Sequence, residues 1–477
     1  MKKIIITFCF LTSIQFLFAQ NIIQFKVSKP YCIFNFLETA TNQQGTSSTL
    51  YEFIVSKTKN DTGFQKLCLD FKNIQTNYNY KREEFPGNRR QNRSTKDLII
   101  IALVNSNSLD DFKNKTIGIL PNSEQQKLVG VLKQTEKYYG DLLWNNNEQK
   151  LNDQKKELEA YASRSSEIFN TFQHFYNSSW TADIPFIVTL YPIPGKSGNS
   201  TATPHANSLC VGVLTDETRH VERIGVVLHE MCHVLYDEQT KDFQYEIENW
   251  FNSNKSPYKQ FAYNFFDEGL ATALGNGWAY KNISGSTDTT EWYNNKYING
   301  FAKELYPLVE DYINKHKQID KQFIDNAIEL FARKFPNSIS DYGILLNNVS
   351  IYSDAETKAE RNDLMNTIGE QFQLSSANLS TPILDNTSLE LLRTSTQTQL
   401  IVIDKNHKNN FNALKNVFPQ LSGINSGNIT NTTLFSFYDN ANRPIIVLYT
   451  AENTGIKNLV NKMKTLKYFD TKNIIQK

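Results

Sequence analysis

The sequence is short of net charge, of cysteine and of long apolar runs. Fifty basic residues face 49 acidic ones in a chain of 477, so electrostatics gives no reason to expect nucleic acid or an anionic membrane as the main partner. Beyond the N-terminal region, no stretch is long and apolar enough to span a bilayer. Five cysteines are too few to demand a disulfide framework. We therefore expect an ordinary globular protein with no nucleic-acid partner and no integral membrane segment.

The N terminus carries the one pronounced apolar run. Lys2 and Lys3 precede an uncharged, mostly apolar stretch, and Ala19 and Gln20 follow it. A short basic region, an apolar core and a small residue at its end are typical of a secretory signal peptide. The Lys-Lys-Ile start and the Phe-Ala-Gln end resemble signal peptides of exported bacterial proteins in the Bacteroidetes. We predict a signal peptide over residues 1–20 and an exported protein, periplasmic or extracellular after cleavage.

Histidine is also scarce, yet two of the seven histidines fall within one short apolar run. Residues 226–236 read V-V-L-H-E-M-C-H-V-L-Y and contain His229, Glu230 and His233. On a helix, residues four apart share a face, so both imidazoles can bind one metal ion while Glu230 holds a water beside it. A chance match of this pattern occurs roughly once in a few hundred sequences. A third ligand is therefore needed before the pattern predicts a metal site.

Cys232 lies between the two histidines and is the nearest additional candidate ligand. Its helical position is about a quarter-turn away from the histidine face, which favours a packed core residue. Export would permit disulfide bonds, but the spacing leaves the pairing of the four cysteines of the mature chain open: Cys32, Cys68, Cys210 and Cys232.

A pair of carboxylates inside a later apolar helix offers the third ligand. Residues 265–272 read F-F-D-E-G-L-A-T and place Asp267 and Glu268 in the middle of the helix. A buried carboxylate needs a partner, and a metal ion is one. The alternative is that both residues solvate a surface helix. Glu268 follows His233 by 35 residues. This spacing leaves room for a helix, a turn and a returning helix, so we predict Glu268 to be the third ligand.

The elements around these residues follow a recognisable order. Two strands (residues 184–191 and 208–214) precede the histidine helix, and the glutamate helix, residues 258–274, is expected to end at Gly275-Asn276-Gly277. A mostly helical stretch then extends to about residue 374, and residues 375–398 are polar and typical of a boundary. The C-terminal elements are predicted as strands 400–403, 433–438 and 444–449 with helices 411–418 and 456–466.

Over residues 184–277 the chain resembles the gluzincins, zinc metallopeptidases that carry H-E-x-x-H on one helix and a ligand glutamate on a later one. The resemblance implies His229, His233 and Glu268 as ligands of one Zn²⁺ and Glu230 as the catalytic base. Asp267 is a minor alternative ligand. The competing metzincin pattern is excluded because it would need glycine and histidine where Tyr236 and Gln239 stand, as the sequence shows.

One position departs from the thermolysin-type pattern. That pattern has an aspartate four residues after the ligand glutamate, where it orients a ligand histidine, and this chain has Thr272 there. Asp237, four residues after His233, and Asp267 are the other candidates for this orienting role.

Together these features predict an α+β fold with a zincin-like catalytic core and a small C-terminal α/β unit. The core is a small mixed sheet with the histidine and glutamate helices, followed by a mostly helical subdomain. The predicted domains are a signal peptide (1–20), an N-terminal α/β region (21–120), a zincin-like metallopeptidase domain (121–375) and the C-terminal unit (385–477).

The predicted function is zinc-dependent hydrolysis of a peptide or protein substrate, with Glu230 as general base. The alternatives are a metal-dependent hydrolase of another amide or ester, and a catalytically silent binding protein of the zincin fold. The sequence leaves the substrate, the cleavage preference and the oligomeric state open. It also leaves open the donor for the oxyanion, for which the candidates are His205, Tyr280, Tyr293, Tyr306 and Tyr342.

Overall fold

The computed structural model describes residues 22–476 except for residues 44, 90, 91, 182, 406, 426, 428, 430, 431, 451–454, 472 and 473. The predicted signal peptide lies outside the described residues. Helices and small mixed sheets alternate along the chain, which confirms the predicted α+β class. The chain divides into two compact units. The first comprises the residues up to 83, residues 90–239 and residues 282–285, and the second comprises residues 84–89, 240–281 and those from 286 onward.

The first unit combines a mixed sheet with several helices. Its helices are α1 (Lys29–Ala40), α2 (Ser48–Thr58), α3 (Thr62–Lys72), α4 (Thr95–Val104), α5 (Leu109–Lys115), α6 (Asn122–Tyr139), α7 (Asn145–Glu159), α8 (Ala162–Tyr176) and α9 (His220–Asp237). Its strands are β1 (Ile23–Lys26), β2 (Asn79–Lys81), β3 (Asn92–Ser94), β4 (Phe186–Ile193), β5 (Ala202–His205) and β6 (Ser208–Leu214).

The central sheet of this unit has the strand order β1-β4-β6-β5. The β1–β4 and β4–β6 pairs are parallel, and β5 runs antiparallel to β6 at the edge. Every residue of β6 is buried, as expected for a continuous apolar run that is covered on both faces. Helices α7 and α8 pack near β1, and α9 contacts β5 and β6. The two strands predicted before the histidine helix are therefore confirmed, with β4 displaced by two residues.

The second unit contains a helical part and an α/β part. Its helices are α10 (Lys241–Ser253), α11 (Lys259–Thr272), α12 (Tyr280–Ser284, whose last three residues belong to the first unit), α13 (Lys296–Asn314), α14 (Lys321–Lys334), α15 (Tyr342–Leu345), α16 (Lys358–Gly369), α17 (Asn386–Thr394), α18 (His407–Val417) and α19 (Gly455–Leu466). Its strands are β7 (Asn348–Ser353), β8 (Ser376–Ser380), β9 (Thr398–Ile403), β10 (Thr433–Tyr438), β11 (Pro444–Tyr449) and β12 (Ile475–Gln476).

Helices α11, α13 and α14 pack together through aromatic side chains. Phe331 of α14 contacts Phe265 of α11 and Phe301 of α13, with ring centroids 5.8 and 5.1 Å apart. These rings exclude water from the middle of the three helices and hold α11 in a fixed position. The helical character predicted for this aromatic-rich stretch is confirmed.

The predicted end of the glutamate helix at Gly275-Asn276-Gly277 is wrong. The helical backbone continues through a π-helical segment, Ala273–Ala279, and into α12. The physical reason lies in packing, because a Cβ on Gly277 would lie 2.7 Å from Cζ3 of Trp292. Glycine at this position admits a neighbouring ring and does not terminate the helix.

The C-terminal sheet has the order β12-β10-β11-β9-β7-β8. Strands β7, β8, β9 and β11 are parallel, and β10 is antiparallel to β11 and β12. The predicted strands at 433–438 and 444–449 are confirmed without displacement. The polar stretch 375–398 is more structured than predicted, because it contains β8 and α17. Two strands of the sheet, β7 and β8, precede residue 385.

The four cysteines among the described residues, Cys32, Cys68, Cys210 and Cys232, are free thiols. Cys32, Cys210 and Cys232 are buried, and Cys68 is partly exposed. Burial raises the pKa of the Cys32 thiol to about 12, so this thiol stays protonated and unreactive at neutral pH.

Candidate metal centre

Helix α9 forms because its apolar residues recur at helical spacing. Its core face consists of Ile224, Val227, Leu228, Met231 and Leu235, which are all fully buried. Cys232 is also fully buried, which agrees with the packed-core interpretation. Within the described part of the chain, Cys232 is not a member of any group that could bind a metal ion.

The N-terminal end of α9 is fixed by a buried ion pair. The guanidinium of Arg223 donates to both carboxylate oxygens of Glu217 at 3.0–3.2 Å and to Oγ of Ser200 at 3.0 Å. Both charged side chains are less than a tenth exposed. One turn earlier, Nε2 of His220 lies 2.9 Å from Oε1 of Gln154 on α7. These contacts tie the start of α9 to helix α7 and to two loops of the same unit, and so set the position of the histidines further along α9.

His229 and His233 lie one turn apart with their imidazoles side by side. Their Nε2 atoms are 3.1 Å apart, the ring centroids are 4.8 Å apart, and the ring planes are nearly perpendicular. His229 is buried and His233 is partly exposed. In the absence of a metal, one Nε2 can donate to the other. Both nitrogens can instead bind one cation if each ring carries its proton on Nδ1.

Glu268 joins the two histidines in one candidate group. The possible ligand atoms of His229, His233 and Glu268 all lie within 4.8 Å of one another. Glu268 is partly buried on α11, and the next residue is a glycine. A Cβ on Gly269 would lie 2.8 Å from Cδ1 of Phe301, so glycine at this position admits a ring of α13. These three side chains could together hold one metal ion.

Glu230 occupies the position directly after the first histidine. It is partly buried on α9, about 100° around the helix from His229. This helical position lies to one side of the face that carries the two histidines. The role of general base stays a prediction.

The three candidates for orienting a ligand differ in their surroundings. Asp237 forms an ion pair with Arg93, with Oδ2 3.7 Å from Nη2. Asp267 is partly buried beside Glu268. Thr272 is fully buried, and its hydroxyl makes no hydrogen bond within the part of the chain that the structure describes. Asp237 and Asp267 therefore remain the carboxylates available for a predicted orienting role.

Three candidate oxyanion donors bond to other side chains of their own unit: His205, Tyr306 and Tyr342. His205 on β5 pairs with Asp97 at 2.8 Å, and the Tyr306 hydroxyl donates to Glu310 at 2.9 Å. Tyr342 is fully buried with its hydroxyl 2.9 Å from Oγ of Ser436, and burial raises its pKa to about 12. Tyr342 is therefore a packing residue in the core of its unit.

Tyr280 and Tyr293, the other two candidates, are both partly exposed. Tyr280 begins α12, and Tyr293 lies in the loop before α13. The choice between them stays open.

Two polar pairs near these elements were not predicted. Asp97 is the N3 residue of a capping box with Ser94 at the start of α4, and this S-x-x-D spacing is visible in the sequence. Its second partner, His205, lies 108 residues away, and no local pattern indicates it. The same holds for the bond between Arg223 and Ser200.

Comparison with known proteins returns no match. No protein-family model, no curated protein and no solved structure matches the chain. Among the described residues, no helix is long and apolar enough to cross a bilayer.

Proposed function

We propose that the chain is a zinc-dependent peptidase of the gluzincin type. The observation that carries this proposal is the gathering of His229, His233 and Glu268 within 4.8 Å. Two atoms bound tetrahedrally at about 2.05 Å from a zinc ion are about 3.3 Å apart, and the histidine nitrogens, at 3.1 Å, already have nearly this separation. Two imidazoles and one carboxylate also make a donor set of known catalytic zinc sites, which leave a further position for water.

The side chains divide the chemistry among them. His229 and His233 bind through Nε2, and Glu268 supplies the carboxylate oxygen. If these three side chains hold a zinc ion, it would lower the pKa of a bound water molecule to about 7 and would polarise the substrate carbonyl. Glu230 accepts a proton from the attacking water and returns it to the leaving amine, a role worth about 10²–10⁴ in rate. Asp237 or Asp267 orients a ligand side chain.

The test compares metal content with hydrolysis in the wild type and in Glu230→Gln. We expect about one zinc per chain in both proteins, hydrolysis of members of a peptide panel by the wild type, and a loss of at least about 100-fold in Glu230→Gln. A chelator should abolish the wild-type activity. Glu246→Gln, which changes an exposed glutamate of α10, is the matched control and should behave as wild type.

The outcomes separate the alternatives. Wild type that binds no zinc would overturn the site. Zinc in both proteins without hydrolysis of any peptide, ester or other amide would favour a binding protein of the same fold. Chelator-sensitive cleavage of esters or non-peptide amides alone would assign another hydrolase.

Export is part of the same proposal. The support is the basic-apolar-small order of residues 1–20. Expression in a Gram-negative host should yield a protein in the periplasm or medium whose first residue, by N-terminal sequencing, is Gln20 or Asn21. A cytoplasmic chain that retains Met1 would contradict export.

A further inference from the structure

The second unit contains a cavity of about 780 Å³ at the start of the glutamate helix. It is lined by the first turn of α11, the C-terminal end of α17 and the turn between β10 and β11. The charged side chains that line it are all cationic: Lys255, Lys259, Arg393 and Arg443. Among the described residues of the lining there is no aspartate or glutamate. A local positive charge of this kind stands out in a chain whose net charge is only +1.

Among the described residues, carboxylates neutralise one of these four cations. Arg443 pairs with Asp439 at 2.7 Å. The ammonium of Lys259 donates to the backbone oxygen of Asn252, which carries no full charge. Lys255 and Arg393 are exposed and have no ion pair or hydrogen bond within the described part of the chain. Three positive charges are therefore available to a ligand.

The backbone adds to the positive potential of the cavity. Helix α11 begins at Lys259, and no side chain caps its N terminus. The first-turn amides of a helix lack acceptors within the helix, and the helix dipole favours an anion there. Gln260 and Phe261 of this first turn line the cavity. The helix dipole therefore adds to the positive potential that the cationic side chains create.

The cavity lies along the helix that carries the proposed zinc ligand. Asn264, which also lines it, is one turn before Glu268, and Lys259 is nine residues before it. At 1.5 Å per residue these positions are about 6 and about 14 Å from Glu268 along the helix axis. An extended peptide advances about 3.3–3.6 Å per residue. Side chains about two to four residues from a bond held at Glu268 would reach the cavity.

We propose that this cavity binds an acidic segment of a peptide substrate, which rests on the proposed peptidase function. The free cations stand on separate elements, the loop before α11, α11 itself and α17. Such spacing suits several carboxylates along an extended chain better than one compact phosphate. The cavity therefore selects substrates with aspartate or glutamate two to four residues from the cleaved bond.

The binding test uses the full mature chain with Glu230→Gln, so that peptides stay intact. The probes are two fluorescein-labelled decapeptides of glycine and serine, one with four glutamates and one with four glutamines. Fluorescence anisotropy should show at least tenfold tighter binding of the glutamate peptide, with an affinity that falls as salt rises. Adding Lys255→Glu and Arg393→Glu should remove that preference.

The control carries the same charge change elsewhere in the unit. Lys358→Glu with Lys408→Glu alters two exposed lysines of α16 and α18 that do not line the cavity, and it should keep the preference. Equal binding of both peptides, or equal loss in the control and the cavity variant, would overturn the proposal. Failure of excess unlabelled glutamate peptide to displace the labelled glutamate peptide would also overturn it.

A kinetic test separates this proposal from the peptidase proposal. With active protein and a cleavable glutamate-bearing peptide, the cavity variant should raise KM at least tenfold with kcat retained, and the control should not. If no peptide is cleaved but the glutamate peptide still binds through Lys255 and Arg393, the peptidase proposal fails and acidic-peptide binding stands. Cleavage with no effect of the cavity variant on KM would reject the cavity and leave the peptidase.

Discussion

Arg223 and Glu217 form a two-pronged ion pair that is buried at the start of the helix carrying both histidines, with Nη2 of Arg223 3.0 Å from Oε2 of Glu217. A buried pair stabilises a fold only while both partners are present, because removal of one leaves an uncompensated charge away from water. The pair therefore makes the position of α9 sensitive to single substitutions several residues from the candidate metal centre.

Arg223→Met should lower the free energy of unfolding by about 3–5 kcal/mol. The double variant Arg223→Met/Glu217→Leu should recover most of that loss, since no buried charge remains. Urea unfolding followed by far-UV circular dichroism measures both. Lys321→Met, which breaks the exposed pair of Lys321 with Asp325, is the control and should cost at most about 1 kcal/mol. A single variant no less stable than this control would contradict the prediction.

Gly277→Ala should destabilise the second unit. The added Cβ would lie 2.7 Å from the ring of Trp292, and an overpacked core commonly costs about 1–3 kcal/mol. Gly369→Ala is the matched control, because a Cβ there meets nothing within 4 Å, and it should be neutral or stabilising by up to about 1 kcal/mol. Thermal unfolding of both variants decides whether Gly277 serves packing. Equal stability of the two variants would contradict a packing role for Gly277.

The sequence could predict those parts of the fold that a local pattern determines. The histidine helix and strands β6, β10 and β11 were predictable because each is set by a local apolar pattern. In contrast, β8 is an edge strand that pairs only with β7 and is nowhere fully buried. Its polar composition carries no strand signal, so the stretch 375–398 reads as a boundary. The helix end predicted at Gly277 is wrong for a related reason. The ring that requires glycine there belongs to Trp292, which is close in space but lies outside the local sequence pattern.

The residues of the candidate site also fall into two classes, those that a local pattern predicts and those that it does not. His229, Glu230 and His233 are predictable from one helical turn, and Glu268 from the cost of burying a carboxylate in an apolar helix. The partners that position them are distant in sequence. Ser200 meets Arg223 across 23 residues. Such contacts follow from the packing of strands and helices, which no local spacing indicates.

The stability of the first unit should depend on pH through Asp97. Burial alone would raise the pKa of this carboxyl, but the hydrogen bond and charge of His205 and the bonds from Ser94 outweigh it and hold the pKa below its ordinary value. A carboxyl with a lowered folded-state pKa contributes stability that is present above its unfolded value of about 3.9 and is lost as pH falls through the folded value.

Asp97→Asn should therefore be less stable than wild type at pH 6, and the difference should shrink as the pH falls from about 4 to lower values. Urea midpoints at pH 6, 4 and 3 measure this trend. His205→Gln removes the other member of the same pair, so it should lower the stability in the same direction. A difference between wild type and Asp97→Asn that stays constant across this range would contradict the prediction.

Glu268 and its neighbour Asp267 offer the sharpest test of the metal centre, since only Glu268 belongs to the group with the two histidines. Glu268→Gln should lower zinc affinity by more than about 100-fold, because changes to groups that merely orient a ligand already cost about 10–100-fold. Asp267→Asn should cost no more than that smaller range. Competition with a chromophoric chelator measures both affinities, and circular dichroism of the metal-free proteins confirms that each variant is folded. A larger loss in Asp267→Asn than in Glu268→Gln would transfer the ligand role to Asp267.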